Sequence, residues 1–204
     1  MKIYKFVFLY FLLFIGCATT VSEKNITNNM VNEFIKNNEK SSYILINIDE
    51  QKLIYKSKFR TYTYSISSSV NGLGNKKDSY KTPFGKHIIS EKIGEDLPLG
   101  AVFKGRKWTK EVMRPIKEEI DIPEDVITSR ILWLDGLEEG INKGGNVDSK
   151  ERFIYIHGTA EEGLIGKPAS IGCIRMKNKD VIKLFNRVKE NTKVLIYSKN
   201  IQYL

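Results

Sequence analysis

Two side chains in the segment 153–176 have the chemistry of a nucleophile and its base. His157 and Cys173 stand sixteen positions apart, and the 204 residues contain one other histidine and one other cysteine. A thiol attacks a carbonyl as the thiolate, and an imidazole beside it can remove the proton and orient the sulfur. The pair therefore predicts covalent catalysis through Cys173. The alternative is a buried core cysteine and a hydrogen-bonded strand histidine.

The residues before His157 predict how the imidazole is positioned. The run Phe153–Ile156 is β-branched and aromatic, which is typical of a buried strand. We expect this strand to deliver His157 at its carboxyl end and to be broken by the glycine that follows, Gly158.

The residues around Cys173 predict an activated thiol. Gly172 lets the backbone approach a substrate closely on one side of the cysteine. In an extended segment Arg175 shares a face with Cys173, so both side chains can point into one cleft. We expect three features to favour the thiolate: the imidazole, the charge of Arg175 and the N-terminus of a helix just downstream.

The complete pattern resembles the active-site signature of a known family. The segments read His157-Gly158-Thr159 and then Ser170-x-Gly172-Cys173-Ile174-Arg175-Met176, which closely resembles the L,D-transpeptidase catalytic domain, the YkuD family. A Thr-Pro-x-Gly element at 82–85 also recurs in that family ahead of the catalytic motif. The resemblance covers residues 43 to about 198.

The resemblance implies a role for each matching residue. Cys173 would be the acyl-accepting nucleophile and His157 its base, with the Gly158 carbonyl holding the other imidazole nitrogen. Three further residues fall on signature positions and are assigned to the oxyanion and the substrate: Gly172, Ser170 and Arg175. Many relatives have a second histidine where this chain has Ile171, and asparagine at the position of Arg175. We expect these departures to affect substrate preference.

The activity implied by the resemblance is acyl transfer on peptidoglycan stem peptides. The enzyme would cleave the L-D bond of a tetrapeptide stem through a Cys173 acyl-enzyme. The acyl group would pass to an amine, either of another stem, giving a 3-3 crosslink, or of a lipoprotein lysine. No cofactor is expected, and carbapenems should acylate the same cysteine. Two alternatives stay open: a hydrolase with water as acceptor, and a non-catalytic peptidoglycan-binding lipoprotein.

The first residues predict export. Two lysines precede the apolar run Phe6–Ile15, which is too short to span a membrane. Phe14-Ile15-Gly16-Cys17 resembles a bacterial lipoprotein box, which implies that residues 1–16 are a lipoprotein-type signal peptide and that lipid is attached to Cys17. The protein would then be anchored to a membrane through its N-terminal lipid, in the cell envelope or periplasm. The alternative is a disulfide between Cys17 and Cys173, which would silence the nucleophile.

The remaining chain predicts one mainly β domain with minor α content. We expect a polar tether over 17–40 with one or two helical turns, a catalytic domain over 41–198 and a short tail over 199–204. The domain would be a sandwich or barrel-like sheet of seven to nine strands with one main helix, as the resemblance implies. That helix is predicted over 179–190, capped by Asn178. Strands are predicted at 43–48, 53–55, 59–69, 86–93, 127–134, 153–156 and 192–197.

An inserted loop region is predicted over 94–126, where three prolines interrupt any regular pattern. Loops of this length are often binding walls. Arg106 and Trp108 are predicted contacts for an anionic face of the substrate, with packing as the alternative for Trp108. A second acidic, glycine-rich loop over 135–147 is predicted to be solvated, with binding of a substrate ammonium group as the alternative.

The charge of the chain limits its partners. A formal charge of +9 favours polyanions such as a carboxylate-rich cell-wall polymer. No basic run is interleaved with aromatic residues in the manner of a nucleic-acid module, so we expect no nucleic acid partner. We also expect no metal site, because Cys173, His157 and His87 include no closely spaced pair. His87 is predicted to be a strand histidine whose hydrogen bonds are satisfied.

Overall fold

The computed structural model of the chain describes residues 15–199, with side chains described from residue 27. This part contains ten strands, two α-helices and two short 3-10 segments, at 145–147 and 162–164. The helices are α1 (Ile15–Asn38) and α2 (Asn178–Phe185). The strands are β1 (Tyr43–Asn47), β2 (Lys52–Lys56), β3 (Thr61–Ser67), β4 (Gly85–Ile93), β5 (Ala101–Lys104), β6 (Lys107–Val112), β7 (Ile127–Gly136), β8 (Tyr155–Thr159), β9 (Ile174–Met176) and β10 (Lys193–Tyr197).

Eight of these strands close into a barrel. The order is β4-β10-β1-β2-β3-β9-β8-β7, and β4 also pairs with β7, which joins the two ends. The predicted class, mainly β with a barrel-like sheet, is confirmed. Closure of this kind leaves few free strand edges.

The core of the barrel is built from alternating apolar residues. Along β2 the burial pattern alternates between buried and exposed positions, as a strand with one face on a core requires. The main cluster combines residues from nearly every strand with one face of α2: among others Ile46, Leu53, Ile66, Leu132, Ile156, Ile174, Val181, Phe185 and Ile196. Helix α2 lies against β7 and β8, so it supports the strands that carry the candidate site.

Two helical predictions require correction. The predicted helix over 179–190 ends at Phe185, and Asn178 does not cap it, since its side-chain oxygen accepts from the Thr128 and Ser129 hydroxyl groups. The predicted tether over 17–40 is mostly helical, not one or two turns. Phe34 of α1 packs edge-on against Tyr43, with ring centroids 5.8 Å apart. This contact packs α1 against the barrel through an apolar residue, which the mostly polar sequence of the helix does not predict.

Two strand predictions also require correction. The inserted region over 94–126 contains the β5–β6 hairpin, which pairs with β7 outside the barrel. Strand β8 does not begin at Phe153, because that residue has a left-handed φ of 57° and an exposed ring. Gly158 does not break the strand: β8 continues through it to Thr159. A Cβ at Gly158 would lie 2.6 Å from the Thr128 carbonyl oxygen, so glycine permits close strand packing.

Candidate active site

Two parallel strands bring the predicted nucleophile and base to one face of the sheet. In the β8–β9 register, Ile156 lies opposite Ile174 and His157 opposite Arg175. The two isoleucines belong to the main core. Side chains alternate along a strand, so His157 and Cys173 lie on the other face, diagonal to each other across the pair.

The Cys173 thiol is half-buried beside the start of β8. The Tyr155 N–H donates to Sγ at 3.4 Å, and Sγ lies 3.5 Å from the Phe153 carbonyl oxygen. Burial, reinforced by the negative charge of Asp125, raises the pKa of Cys173 to about 12. A pKa raised in this way disfavours the predicted resting thiolate in the unliganded protein. The Arg175 and Arg152 guanidinium groups lower the thiol pKa, but burial outweighs them.

The His157 imidazole is fully buried and held through one nitrogen. Nδ1 lies 2.8 Å from the Gly158 carbonyl oxygen, the contact that the family resemblance implied. A carbonyl only accepts hydrogen bonds, so Nδ1 carries the proton in this neutral tautomer and Nε2 has a free lone pair. Nε2 has no hydrogen-bond partner among the described residues. Burial lowers the pKa of His157, against the opposing effects of Asp125 and the Gly158 carbonyl, so the ring is a neutral base.

The turn before the cysteine is fixed by buried hydroxyl groups. Ser170 Oγ donates to the Cys173 carbonyl oxygen at 2.6 Å and accepts from the Gly172 N–H at 3.2 Å. Thr82 Oγ1 donates to the Gly172 carbonyl oxygen at 2.9 Å. Gly172 has a φ of 137°, which disfavours any side chain. The two residues assigned to the oxyanion are thus engaged with each other and shape the turn that presents the thiol.

Arg175 occupies a buried double ion pair. Its guanidinium nitrogens lie 3.1 Å from an Asp125 oxygen and 2.8 Å from a Glu161 oxygen. The arginine is 3% exposed, so its predicted contact with substrate is not possible in this arrangement. Asp125 comes from the loop before β7 and Glu161 follows β8. Sequence reasoning missed both carboxylates because nothing local marks residues so far apart in the chain as partners.

A second arginine near the thiol was also missed. Arg152 donates to the Asn75 carbonyl oxygen at 2.8 Å and to the Lys81 carbonyl oxygen at 2.7 Å. Lys81 precedes Thr82, whose hydroxyl holds the Gly172 turn. Arg152 therefore holds the segment 75–81 beside the cysteine through hydrogen bonds. Its positive charge also lowers the Cys173 pKa.

The β5–β6 hairpin brings one predicted wall residue to the site. Arg106 at its turn donates to the Tyr155 hydroxyl at 3.3 Å and stacks over Trp133, with the guanidinium carbon 4.3 Å from the ring centroid. It also lies 5.2 Å from the Phe153 ring centroid. Trp108 points elsewhere: it is 40% exposed, and its Nε1 donates within the hairpin to the Glu111 carbonyl oxygen.

The remaining histidine and the acidic loop have structural contacts. His87 is fully buried, with Nδ1 3.0 Å from the Gly85 carbonyl oxygen and Nε2 2.9 Å from Ser149 Oγ. The prediction of a satisfied strand histidine is confirmed. In the acidic loop, Glu138 accepts from the Lys86 N–H at 2.6 Å. A hydrogen bond therefore joins this loop to β4, in addition to the loop's exposure to solvent.

Comparison with known proteins identifies the family. The family model described as the L,D-transpeptidase catalytic domain, YkuD, matches residues 41–196. The chain belongs to the YkuD family. The match encloses the barrel up to Ile196, the second-to-last residue of β10, together with both residues of the Cys–His pair.

Two Bacillus subtilis proteins named as L,D-transpeptidases resemble this YkuD-family chain over a short segment. YqjB is 47% identical over 49 residues, which is 24% of this chain and 28% of YqjB. The YkuD protein is 56% identical over 48 residues, 24% of this chain and 29% of YkuD. The matched segments thus span less than a third of either relative.

Solved L,D-transpeptidase structures resemble this chain more distantly. One from Mycobacterium smegmatis is 15% identical with a TM-score of 0.44, covering 77% of this chain and 58% of that one. One from Enterococcus faecium is 18% identical with a TM-score of 0.47, covering 77% and 50% respectively. Membership of the YkuD family rests on the family-model match.

Proposed function

We propose that the protein is a cysteine acyltransferase of the cell envelope, an L,D-transpeptidase. It cleaves the L-D bond of a peptidoglycan tetrapeptide stem and passes the acyl group to an amine. The observation that carries the proposal is the neutral His157, with Nε2 unpartnered among the described residues, on the same strand face as the Cys173 thiol. A chain that only bound peptidoglycan would have no need of this pair.

The protonation states define the order of proton transfers. As Sγ attacks the stem carbonyl, its proton moves to His157 Nε2, so a sulfur–carbon bond forms while the sulfur–hydrogen bond breaks. The imidazolium then protonates the departing D-alanine amine as the peptide bond breaks. The neutral imidazole next takes a proton from the incoming amine, which attacks the thioester and expels the thiol. The imidazolium formed in that step reprotonates the departing sulfur. The first cysteine proton leaves on D-alanine and is replaced by one from the incoming amine, so the neutral pair is restored without a cofactor.

Product analysis tests the proposal. Purified protein mixed with tetrapeptide muropeptides should release D-alanine and form a 3-3 crosslinked dimer, measured by mass spectrometry. Cys173→Ser should abolish both products, because a hydroxyl is a much weaker nucleophile. His157→Ala should slow the reaction by about 10²- to 10⁴-fold. Full activity in Cys173→Ser would refute the mechanism, and a trimmed tripeptide without any dimer would identify water as the acceptor.

Carbapenem labelling separates an enzyme from a binding protein whatever the acceptor. The strained amide of a carbapenem should acylate Cys173, and the protein should gain the mass of the intact drug. The adduct should be absent in Cys173→Ser and slow in His157→Ala. A folded protein with reduced Cys173 that forms no adduct would favour the binding-only alternative.

The proposed location is the cell envelope, with lipid on Cys17. Residues 1–14 of the predicted signal peptide 1–16 lie outside the described residues, and Cys17 lies in α1 at a position whose side chain is not described. No helix within residues 15–199 is long and apolar enough to span a membrane. Radiolabelled palmitate should enter the wild type but not Cys17→Ala, and that variant should leave the membrane fraction or remain uncleaved. Absence of label in the wild type would refute lipidation. A lipoprotein lysine as acceptor belongs to the same proposal.

A further inference from the structure

Strand β3 has a free edge within the described part of the barrel. Residues 61–65 pair with β2 on one side. On the other side β3 pairs with β9 only at Ile66 and Ser67. Strand β9 ends at Met176, where the chain turns into α2, so no described strand continues alongside residues 61–65.

Hydrogen-bond parity shows which backbone groups of β3 face this edge. The Ile66 N–H donates to Gln51 and the Ser57 N–H donates to Arg60, both across the β2–β3 hairpin. In an antiparallel ladder, alternate residues point their backbone groups to the same side. Tyr62 and Tyr64 therefore pair with β2, as Ile66 does. The residues between them, Thr61, Thr63 and Ser65, point their N–H and C=O groups outward. By the same parity the Ile66–Met176 pairing places the Lys177 N–H on the Ser65 carbonyl oxygen, so Thr61 and Thr63 are the residues whose N–H and C=O groups are both open.

A cleft of about 600 Å³ lies along this edge. Its far wall is formed by Lys177, Asp180, Lys183 and Arg187, at the start of α2 and just beyond its end. Three of these residues are cationic, and the single carboxylate, Asp180, lies 3.5 Å from the Lys183 ammonium nitrogen. The cleft therefore has a net positive wall facing unpaired backbone donors and acceptors.

Tyr64 lines the same cleft. Tyr64 is 7% exposed, and its hydroxyl has no hydrogen-bond partner in the described structure. The hydroxyl oxygen itself is closed to solvent, so Tyr64 contributes apolar surface to the cleft and no open donor. Arg187 is held nearby, with its guanidinium carbon 4.4 Å from the Tyr62 ring centroid. The position of this cation is thus fixed before any ligand arrives.

We propose that this cleft is a second binding site, which takes an extended peptide segment bearing a carboxylate. The peptide backbone adds to β3 at Thr61 and Thr63, as in other cases of strand addition to a free sheet edge. The carboxylate lies between Lys177 and Arg187. The site is at the opposite end of β9 from Cys173, about 13 Å away for four extended residues. It therefore holds a peptide other than the segment being acylated.

Nuclear magnetic resonance of the ¹⁵N-labelled full chain tests this site. The probe is an N-acetylated pentapeptide of alternating valine and threonine with a free C-terminal carboxylate. Its addition should shift the amide signals of Thr61 and Thr63 in a saturable manner. The same peptide with a C-terminal amide should bind about two- to fivefold more weakly, the usual effect of one exposed ion pair. Shifts confined to the residues around Cys173 would overturn the proposal.

Two variants probe the backbone and the charge separately. Thr63→Pro removes an outward N–H while leaving the ladder with β2 intact, which an edge position tolerates, and it should abolish binding. Arg187→Gln should weaken binding about two- to fivefold. Lys40→Gln, an exposed lysine outside the cleft, is the control and should bind as the wild type does. If Thr63→Pro does not fold, Arg187→Gln decides: an affinity equal to that of the control would overturn the proposal.

The site is tested independently of acyl transfer. Cys173→Ser should bind the pentapeptide with unchanged affinity, because the thiol lies outside the cleft. A loss of peptide binding in Cys173→Ser would place the peptide at the thiol and overturn the second site. Failure of the muropeptide reaction would leave these binding results unaffected.

Discussion

The protonation states of Cys173 and His157 determine how the thiol reacts. Burial raises the thiol pKa to about 12 and lowers the imidazole pKa. Both shifts disfavour charge, so the resting pair is neutral in the unliganded protein. In the proposed mechanism the proton then moves during the attack itself, and not before substrate binds.

The pH dependence of two reactions should show whether the thiol loses its proton during the attack or before substrate binds. Alkylation by iodoacetamide needs the thiolate, so its rate should rise about tenfold per pH unit from pH 7 towards the thiol pKa of about 12. Carbapenem acylation uses neutral His157, so its rate should be flat near neutrality and fall only below the lowered imidazole pKa. Both rates can be followed by mass spectrometry. An alkylation rate that is already level at pH 7 would indicate a resting ion pair.

Sequence reasoning at the residue scale succeeded where partners are adjacent in the chain. The contact between His157 Nδ1 and the Gly158 carbonyl could be predicted, because the two residues are neighbours in a recognisable motif. The protonation state of the thiol could not be predicted, because the thiol pKa depends on burial and on Asp125, forty-eight positions away in the printed sequence. Distant charges of this kind leave no local pattern.

At the level of strands, Gly158 is required because the backbone of β7 lies close beside it in the sheet. A Cβ there would lie 2.6 Å from the Thr128 carbonyl oxygen and 2.8 Å from Asn178 Oδ1. Gly158→Ala should therefore destabilise the fold by about 1–3 kcal/mol and displace the neighbouring imidazole. Urea unfolding and carbapenem acylation measure the two effects. The control is Lys40→Ala at an exposed position, which should change stability by less than about 0.5 kcal/mol; an equal loss of stability in both variants would contradict the close-packing explanation.

The Arg175 ion pairs join the loop before β7 to strands β8 and β9. Arg175→Met leaves Asp125 and Glu161 buried without their cation, which should cost about 3–5 kcal/mol in the free energy of unfolding. Arg175 also lowers the His157 pKa, so its loss should shift the acid limb of the acylation profile to higher pH. Lys167→Met removes an exposed partner of Glu119 and should cost less than about 1 kcal/mol. Equal losses of stability in Arg175→Met and Lys167→Met would show that the buried Arg175 ion pairs stabilise the fold no more than an exposed one.

Strand prediction worked best for segments with a clear alternating pattern. The hairpin of β1 and β2 and the strands β4, β7 and β10 were found within a few residues of their bounds. The β5–β6 hairpin was missed because every residue of β6 is exposed, so no apolar alternation marks it. The start of β8 was misplaced because the apolar residue Phe153 has its ring exposed at the mouth of the site, against Trp133 and Arg106.

For the molecule as a whole, a buried histidine links stability to pH. Burial lowers the His87 pKa from 6.5 to about 4. In the unfolded chain His87 takes up a proton near pH 6.5, whereas the folded state resists protonation. Stability should therefore be complete above pH 6.5 and decline as pH falls towards 4, by about 3 kcal/mol from this residue. In His87→Gln the urea midpoint should fall less over this pH range. A midpoint that falls as steeply as in the wild type would contradict this assignment.

The position of β10 in the barrel has a consequence for how the chain is made. β10 is the last described strand in chain order, yet it lies between β1 and β4, and Tyr43 pairs with Lys193. A polypeptide delivered N-terminus first keeps those two strands as open edges until Lys193–Tyr197 arrives. Pairings this distant in sequence form slowly. The barrel therefore closes only once Lys193–Tyr197 has arrived, and until then the open chain can still pass through a narrow channel.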